Sequence, residues 1–183
     1  PLLHVALQLP GELLLAVVAF GLVTDLGSKW LAFEKIAGHP VVVERDRVLE
    51  VALLHGPEKI GGLLPEHKPV VVVPNLLDLS LVLNPGAVFG IGPGKRWFFV
   101  AFTVAAMLAG VALFARGTRA NQTSAHVAIG LLISGGLGNL YDRIVYGCVR
   151  DFLHPLAGLE FPWNIRWPHG SPEVWPYVSN VAD

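Results

Sequence analysis

Asn139-Leu140-Tyr141-Asp142-Arg143, followed eight residues later by Asp151, closes a long apolar run that begins near Ala125. An Asp or Arg at bilayer depth costs about 2.5 kcal/mol or more, so charges at the end of a membrane-length segment face protein or a wet cavity. The cluster therefore marks both the end of a helix and a functional candidate.

Working outward, residues 124–141 are rich in Ala, Gly, Leu and Ile, with small residues at Gly130, Ser134, Gly135, Gly136 and Gly138. Small residues let helix backbones approach closely in lipid, so this helix is expected to be packed by protein on all sides. Residues 97–115 are nineteen in a row without a charge, close to the ~20 needed to cross a hydrocarbon core. A third segment, 12–33, is uncharged only over 13–24 and is expected to continue through Asp25 and Lys29 to the interface. Its alternative is the buried core helix of a soluble protein.

Composition agrees with the membrane reading. The 183 residues are 53% hydrophobic and 15% charged, against roughly 25% charged in a typical soluble domain. With 13 Lys and Arg against 14 Asp and Glu there is no basic excess to suggest a nucleic-acid partner. The single Cys148 excludes a disulfide framework. The first residue is Pro1 and no basic region precedes the first apolar run, so the start reads as trimmed, without a cleavable signal peptide. Arg116 and Arg119, with no acid between the second and third spans, assign that loop to the cytoplasm. Residues 34–94 and everything after Asp142 are then outside.

The 34–94 insert carries Val41-Val42-Val43 and the runs 48–54, 70–73 and 79–83, which read as short strands between Gly and Pro clusters. They predict a small extracytoplasmic sheet, with turns at Gly56-Pro57, Gly61-Gly62 and Pro65 and a solvated charged face at 44–50. The run Asn84-Pro85-Gly86 to Gly94 lacks the third glycine of a dinucleotide loop and any following Gly-Lys-Ser. A bent loop holding Asn84 near the outer surface is the reading preferred. The Pro- and Trp-rich segment 153–182, with Trp163, Trp167 and Trp175, is expected along the outer interface.

Candidate chemistry lies in a few polar groups. Asp25 and Lys29 are four apart on one helix face and could pair, structurally or functionally. Asn139 shares a face with Asp142 and Arg143, and an Asp142–Arg143 clamp is expected. Asp151 and Asp183 are the isolated carboxylates on the outer side. If they meet, they would share a proton, one activating water while the other protonates a carbonyl, the aspartic-protease solution. Spacing alone does not bring them together. The seven histidines lack metal-binding spacing, and Ser134 in Ser-Gly-Gly leaves an intramembrane serine protease as an alternative. A non-catalytic multi-pass scaffold or carrier is another.

Five blocks in order, Asp25 to Lys29, Asn84 to Gly90, Gly135 to Arg143, Val149 to Phe152 and Asn180 to Asp183, make the chain resemble the lipoprotein signal peptidases, or signal peptidase II. The resemblance implies a monomeric membrane all-α helical bundle with a small β-rich insert, three spans being present and the fourth missing after residue 183, so that the sequence reads as truncated. It implies an aspartic endopeptidase of the bacterial inner membrane. Acting near the outer leaflet, the enzyme would cut prolipoproteins before a diacylglyceryl-modified cysteine, with membrane lipids as partners and no cofactor or metal. Asp151 and Asp183 would be catalytic. Asn84, Gly86, Asn139, Asp142, Arg143, Asn180, Asp25 and Lys29 would line or support the site. Two departures stand out: Arg150 where relatives are expected to be apolar, predicted to favour ionised Asp151, and the long segment between the aspartates, expected to be a lid or interfacial contact.

Overall fold

A computed structural model of the chain describes residues 2–86 and 96–183, with side chains from Gly11 onward and that of Arg96 excepted. Readings that fall on 87–95 in the Asn84 to Gly94 run lie outside the described residues.

The described residues form three long helices. α1 is Leu2–Lys35, α3 Arg96–Gly117 and α4 Thr123–Val145. Gly11–Lys35 and Trp97–Gly117 are long and apolar enough to cross a membrane. Their outward faces carry Leu15, Phe20, Val23 and Trp30 on α1 and Trp97, Phe98, Phe102 and Leu108 on α3, all well exposed. In water such a surface would be costly; in hydrocarbon it is solvated.

α4 is the central helix, packing on both α1 and α3. Its small residues explain why. A Cβ at Gly130 would come within 2.8 Å of Val17 Cγ1, one at Gly138 would overlap the Asp25 carboxylate, and one at Gly135 would overlap the Ala182 carbonyl. The glycine stripe thus admits α1 on one side and the end of the chain on the other.

Above the helix ends lies an antiparallel sheet in the order β1-β2-β3, with β1 Val70–Val73, β2 Leu77–Asn84 and β3 Val149–Pro155. The expected strands at 70–73 and 79–83 are present. The other two are not: Val41-Val42-Val43 lies in no strand, the Val41 N–H donating to the Phe33 carbonyl at 2.8 Å instead, and 48–54 is part of helix α2, Arg45–Leu54. The reason is spacing. Val48, Val51 and Ala52 stand at i, i+3 and i+4 and meet the core, while Arg45, Asp46, Arg47 and Glu50 remain exposed. Gly61 and Gly62 fall within a 3₁₀ segment, Pro57–Leu63, rather than a turn between strands.

The sheet is also not confined to the insert, because its third strand follows α4. In β3 the alternation is Val149 and Asp151 on one face, Arg150 and Phe152 on the other. Phe152 joins Phe33, Ile36, Val48, Ile60, Leu81, Leu83 and Cys148 in a core between the sheet, α1 and α2. Each such fully buried aliphatic or aromatic side chain contributes about 1.5–3 kcal/mol. That core fixes β3 against α1 and so fixes where Asp151 points.

Candidate active site

Asp151 faces away from the core, almost fully buried. On β2, Val82 pairs directly with Asp151 and Asn84 lies two residues further along, so Asn84 and Asp151 are diagonal neighbours on one face. Asn84 Nδ2 donates to Asp151 Oδ2 at 3.1 Å. From the end of the chain, Asn180 Nδ2 donates to Asp151 Oδ1 at 2.6 Å. Both amides are held that way round by backbone. The Gly86 N–H donates to Asn84 Oδ1 at 3.0 Å and the Ala182 N–H to Asn180 Oδ1 at 2.8 Å, which leaves each NH2 aimed at the carboxylate. Gly86 has φ +99°, and a Cβ there would approach Phe99 at 2.9 Å. Only glycine fits without displacement.

Asp183 is oriented by a third amide. Asn139 Nδ2 donates to Asp183 Oδ1 at 2.8 Å, and the Asn180 N–H donates to Asp183 Oδ2 at 3.2 Å. Asn139 Oδ1 accepts from Lys29 Nζ at 2.9 Å and from Asn180 Nδ2 at 3.1 Å. An ammonium can only donate, so Lys29 decides which end of the Asn139 amide faces Asp183. Lys29 in turn is held by Asp25 Oδ2 at 2.8 Å, and the other oxygen, Asp25 Oδ1, accepts the Ala182 N–H at 3.1 Å. The α1 pair therefore ties down the segment that carries Asp183.

The Asp142–Arg143 clamp does not form. Consecutive helical residues point about 100° apart, and Asp142 turns to Arg150, accepting from Nε at 3.2 Å and Nη2 at 2.9 Å, with Lys29 3.5 Å away. Arg143 turns the other way: Nη1 donates to the Asn139 carbonyl at 3.1 Å, and its charge acts on both Asp151 and Asp183. The Arg150 side chain makes no direct contact with that of Asp151. It lies on the opposite face of β3 from Asp151 and is spent on Asp142, stacked 4.0 Å from the Tyr146 ring. Ser134 Oγ donates to the Leu131 carbonyl at 2.9 Å and packs against Gly21, which makes it a helix-packing residue.

Asp151, Asp183, Asn84, Asn139 and Arg143 line one cavity of about 630 Å3, together with Val82, Val149 and the Trp175 to Ser179 stretch. Those last residues come from the Pro- and Trp-rich segment, which is held to β3 by Ser179 pairing with Leu153 and is folded on itself by Glu160 pairing with Glu173. The sequence offered a lid or an interfacial contact for this segment; the Trp-Pro-Tyr run was visible, but nothing local told which residues face the cavity.

Burial pushes the Asp151 carboxyl up from the usual 3.8 to about 6, with nearby Asp183 adding to the rise and Asn180, Asn84 and Lys29 opposing it. Asp183 is exposed at the rim. Two carboxyls at one cavity, unequal in burial and each oriented by an amide, suit a division into one acid and one base.

Comparison with known proteins gives the family. A lipoprotein signal peptidase of Desulfitobacterium hafniense (strain DSM 10664 / DCB-2) is 34% identical over 138 residues, 75% of this chain and 75% of the relative. One from Pelotomaculum thermopropionicum is 40% identical over 121 residues, covering 66% of this chain and 67% of the relative. A solved bacterial membrane enzyme shares the fold, with a TM-score of 0.60 at 24% identity over 92% of this chain and 81% of that one. The sequence model of the family described as signal peptidase (SPase) II matches residues 17–183. With that match spanning most of its length, and apolar helices beneath a cavity that holds two carboxyls, the chain belongs to the signal peptidase II family of membrane peptidases.

Proposed function

We propose that the protein is an aspartic endopeptidase that removes signal peptides from diacylglyceryl-modified prolipoproteins, cutting before the lipidated cysteine, with Asp151 and Asp183 as the catalytic pair. The observation that carries this reading is the pair itself: two carboxyls on one cavity, each turned to it by an asparagine. Asp151 is the buried member and keeps its proton; Asp183 is the exposed member and is the base.

Asp183 takes a proton from water as the water oxygen bonds to the scissile carbonyl carbon. The carbonyl electron pair moves to its oxygen, which receives the Asp151 proton. The C–N bond then breaks, the amine leaves with the proton held by Asp183, and the remaining hydroxyl returns its proton to Asp151 as the acid forms. Arg143 lies beside both carboxyls and limits their mutual repulsion.

In this reading α1, α3 and α4 are three spans of an inner-membrane protein. The residues 34–94 and 153–182 lie outside the membrane, and the cavity opens near the outer leaflet. The protein works as a monomer, and no cofactor or metal takes part. A diacylglyceryl anchor would then deliver its peptide at the depth of the carboxyls, which lowers the entropic cost of orientation.

The test is turnover of the full-length protein in proteoliposomes on a diacylglyceryl-modified prolipoprotein and on its unlipidated counterpart. Release of the signal peptide from the lipidated form alone is expected, with Asp151→Asn and Asp183→Asn each lowering kcat about 10²–10⁴-fold. Full activity in either variant would end the aspartic assignment. Ser134→Ala is expected to keep its activity.

A further inference from the structure

Arg150 is a buried cation that the mechanism above does not use. Its residue is 5% exposed, its guanidinium makes two bonds to Asp142 Oδ1, and its own backbone N–H donates to Asp142 Oδ2 at 3.0 Å. Asp142 is fully buried and stands between two cations, Arg150 and Lys29. Arg150 holds the nearer contact, 2.9 Å against 3.5 Å. Lys29 is thereby left to spend its shorter bonds on Asp25 and on Asn139, the amide that orients Asp183.

Among the described residues, the charges of this cluster close only when Arg150 is included. Facing the cavity or one shell behind it are the carboxyls of Asp25 and Asp142 on α1 and α4, Asp151 on β3 and Asp183 near the chain end. Against them stand Lys29 on α1, Arg143 on α4 and Arg150 on β3. With all of these ionised the set carries one excess negative charge, and a single proton on a carboxyl makes it neutral. Neutrality is the inexpensive state of a buried cluster. It coincides with the singly protonated Asp151–Asp183 pair that peptide hydrolysis needs.

We propose that Arg150 is a positioning residue of the peptidase: by occupying Asp142 it leaves Lys29 to orient Asn139, and its charge sets the one-proton state of the Asp151–Asp183 pair. This rests on the aspartic reading above. It goes beyond that reading by giving a role to a residue outside the cavity, on the far face of the strand from the reacting carboxyl.

The experiment is the pH profile of kcat/KM in proteoliposomes, with thermal unfolding of each variant recorded alongside. Arg150→Leu leaves an uncompensated negative charge near the pair, so both limbs are expected to move to higher pH by about one unit. Arg150→Lys keeps the charge and is expected to hold the profile within a few tenths of the wild type even though the forked bond to Asp142 is lost. Arg150→Leu combined with Asp142→Asn removes one charge of each sign and is expected to return the limbs to their original position, whatever its absolute rate. A residue needed only for packing would lower rate and stability without moving the limbs. An Arg150→Leu profile that stays in place, or a double variant that stays shifted, overturns the proposal. If Arg150→Leu does not fold, Arg150→Lys and the double variant decide, since a shift in either contradicts charge balance. Asp151→Asn and Asp183→Asn are run beside them: activity in those variants would sink the aspartic reading itself, whereas their inactivity with an immobile Arg150→Leu profile sinks this inference alone.

Discussion

A single amide, Asn139, shows how much of this site is decided by which atom faces which. Its oxygen is claimed by the Lys29 ammonium, and its nitrogen is thereby presented to Asp183. Lys29→Met removes the donor and leaves Asp25 buried without its cation, which is expected to cost about 3–5 kcal/mol. Thermal unfolding in detergent would register it as a large fall in Tm. The carboxyl at the other end of the chain of amides has its own signature. Because burial raises Asp151 to about 6, the one-proton form of the pair is lost as pH rises through that value in the free enzyme. The expected result is a decline of kcat/KM above pH ~6, with kcat persisting to higher pH because bound peptide buries the pair further. The same raised carboxyl contributes stability that is complete below its unfolded value of 3.8 and lost as pH rises through about 6. The difference amounts to roughly 3 kcal/mol. A pH series of unfolding free energies should flatten over that window in Asp151→Leu.

At the scale of elements, the α1–α4 contact is the critical one. Gly138 sits against the Asp25 carboxylate, so Gly138→Ala is expected to push α1 away or rotate Asp25 off Lys29, destabilising by about 1–3 kcal/mol and lowering activity. Gly27, where an added Cβ meets nothing, is the control and should tolerate alanine. The hairpin between Glu160 and Glu173 gives a second prediction. Those two residues already pair, so replacing 161–172 by a short glycine turn should keep the fold while loosening Trp175 to Tyr177 at the cavity wall. KM is expected to rise several-fold with kcat little changed, measured on the lipidated substrate.

For the molecule as a whole, the long helices and the strands at 70–73 and 79–83 were legible in the sequence, because an uncharged run and a β-branched run are each local patterns. The error at 48–54 came from weighing valine content over spacing; the i, i+3, i+4 positions of Val48, Val51 and Ala52 were there to be read. β3 was hidden because Arg150 and Asp151 interrupt its apolar pattern, and Asp151 is buried through partners distant in sequence, Asn84 and Asn180. Motif order singled out the polar positions now found around one cavity. Their wiring was not visible: that Asp142 rejects Arg143 for Arg150, and that three asparagines are each pinned by a different donor, depends on how α1, α4, β3 and the chain end meet.

The order in which the ribosome delivers these pieces gives the arrangement a sense of time. Asp183 follows Asp151 by 32 positions, which at about 5–20 residues per second is roughly 2–6 s of synthesis. Through that interval Asp151 exists without Asn180 or its partner carboxyl, so nascent chains arrested ahead of residue 180 should be inert. On the aspartic reading, a newborn chain threading into the membrane stays harmless until the segment that carries Asn180 and Asp183 docks.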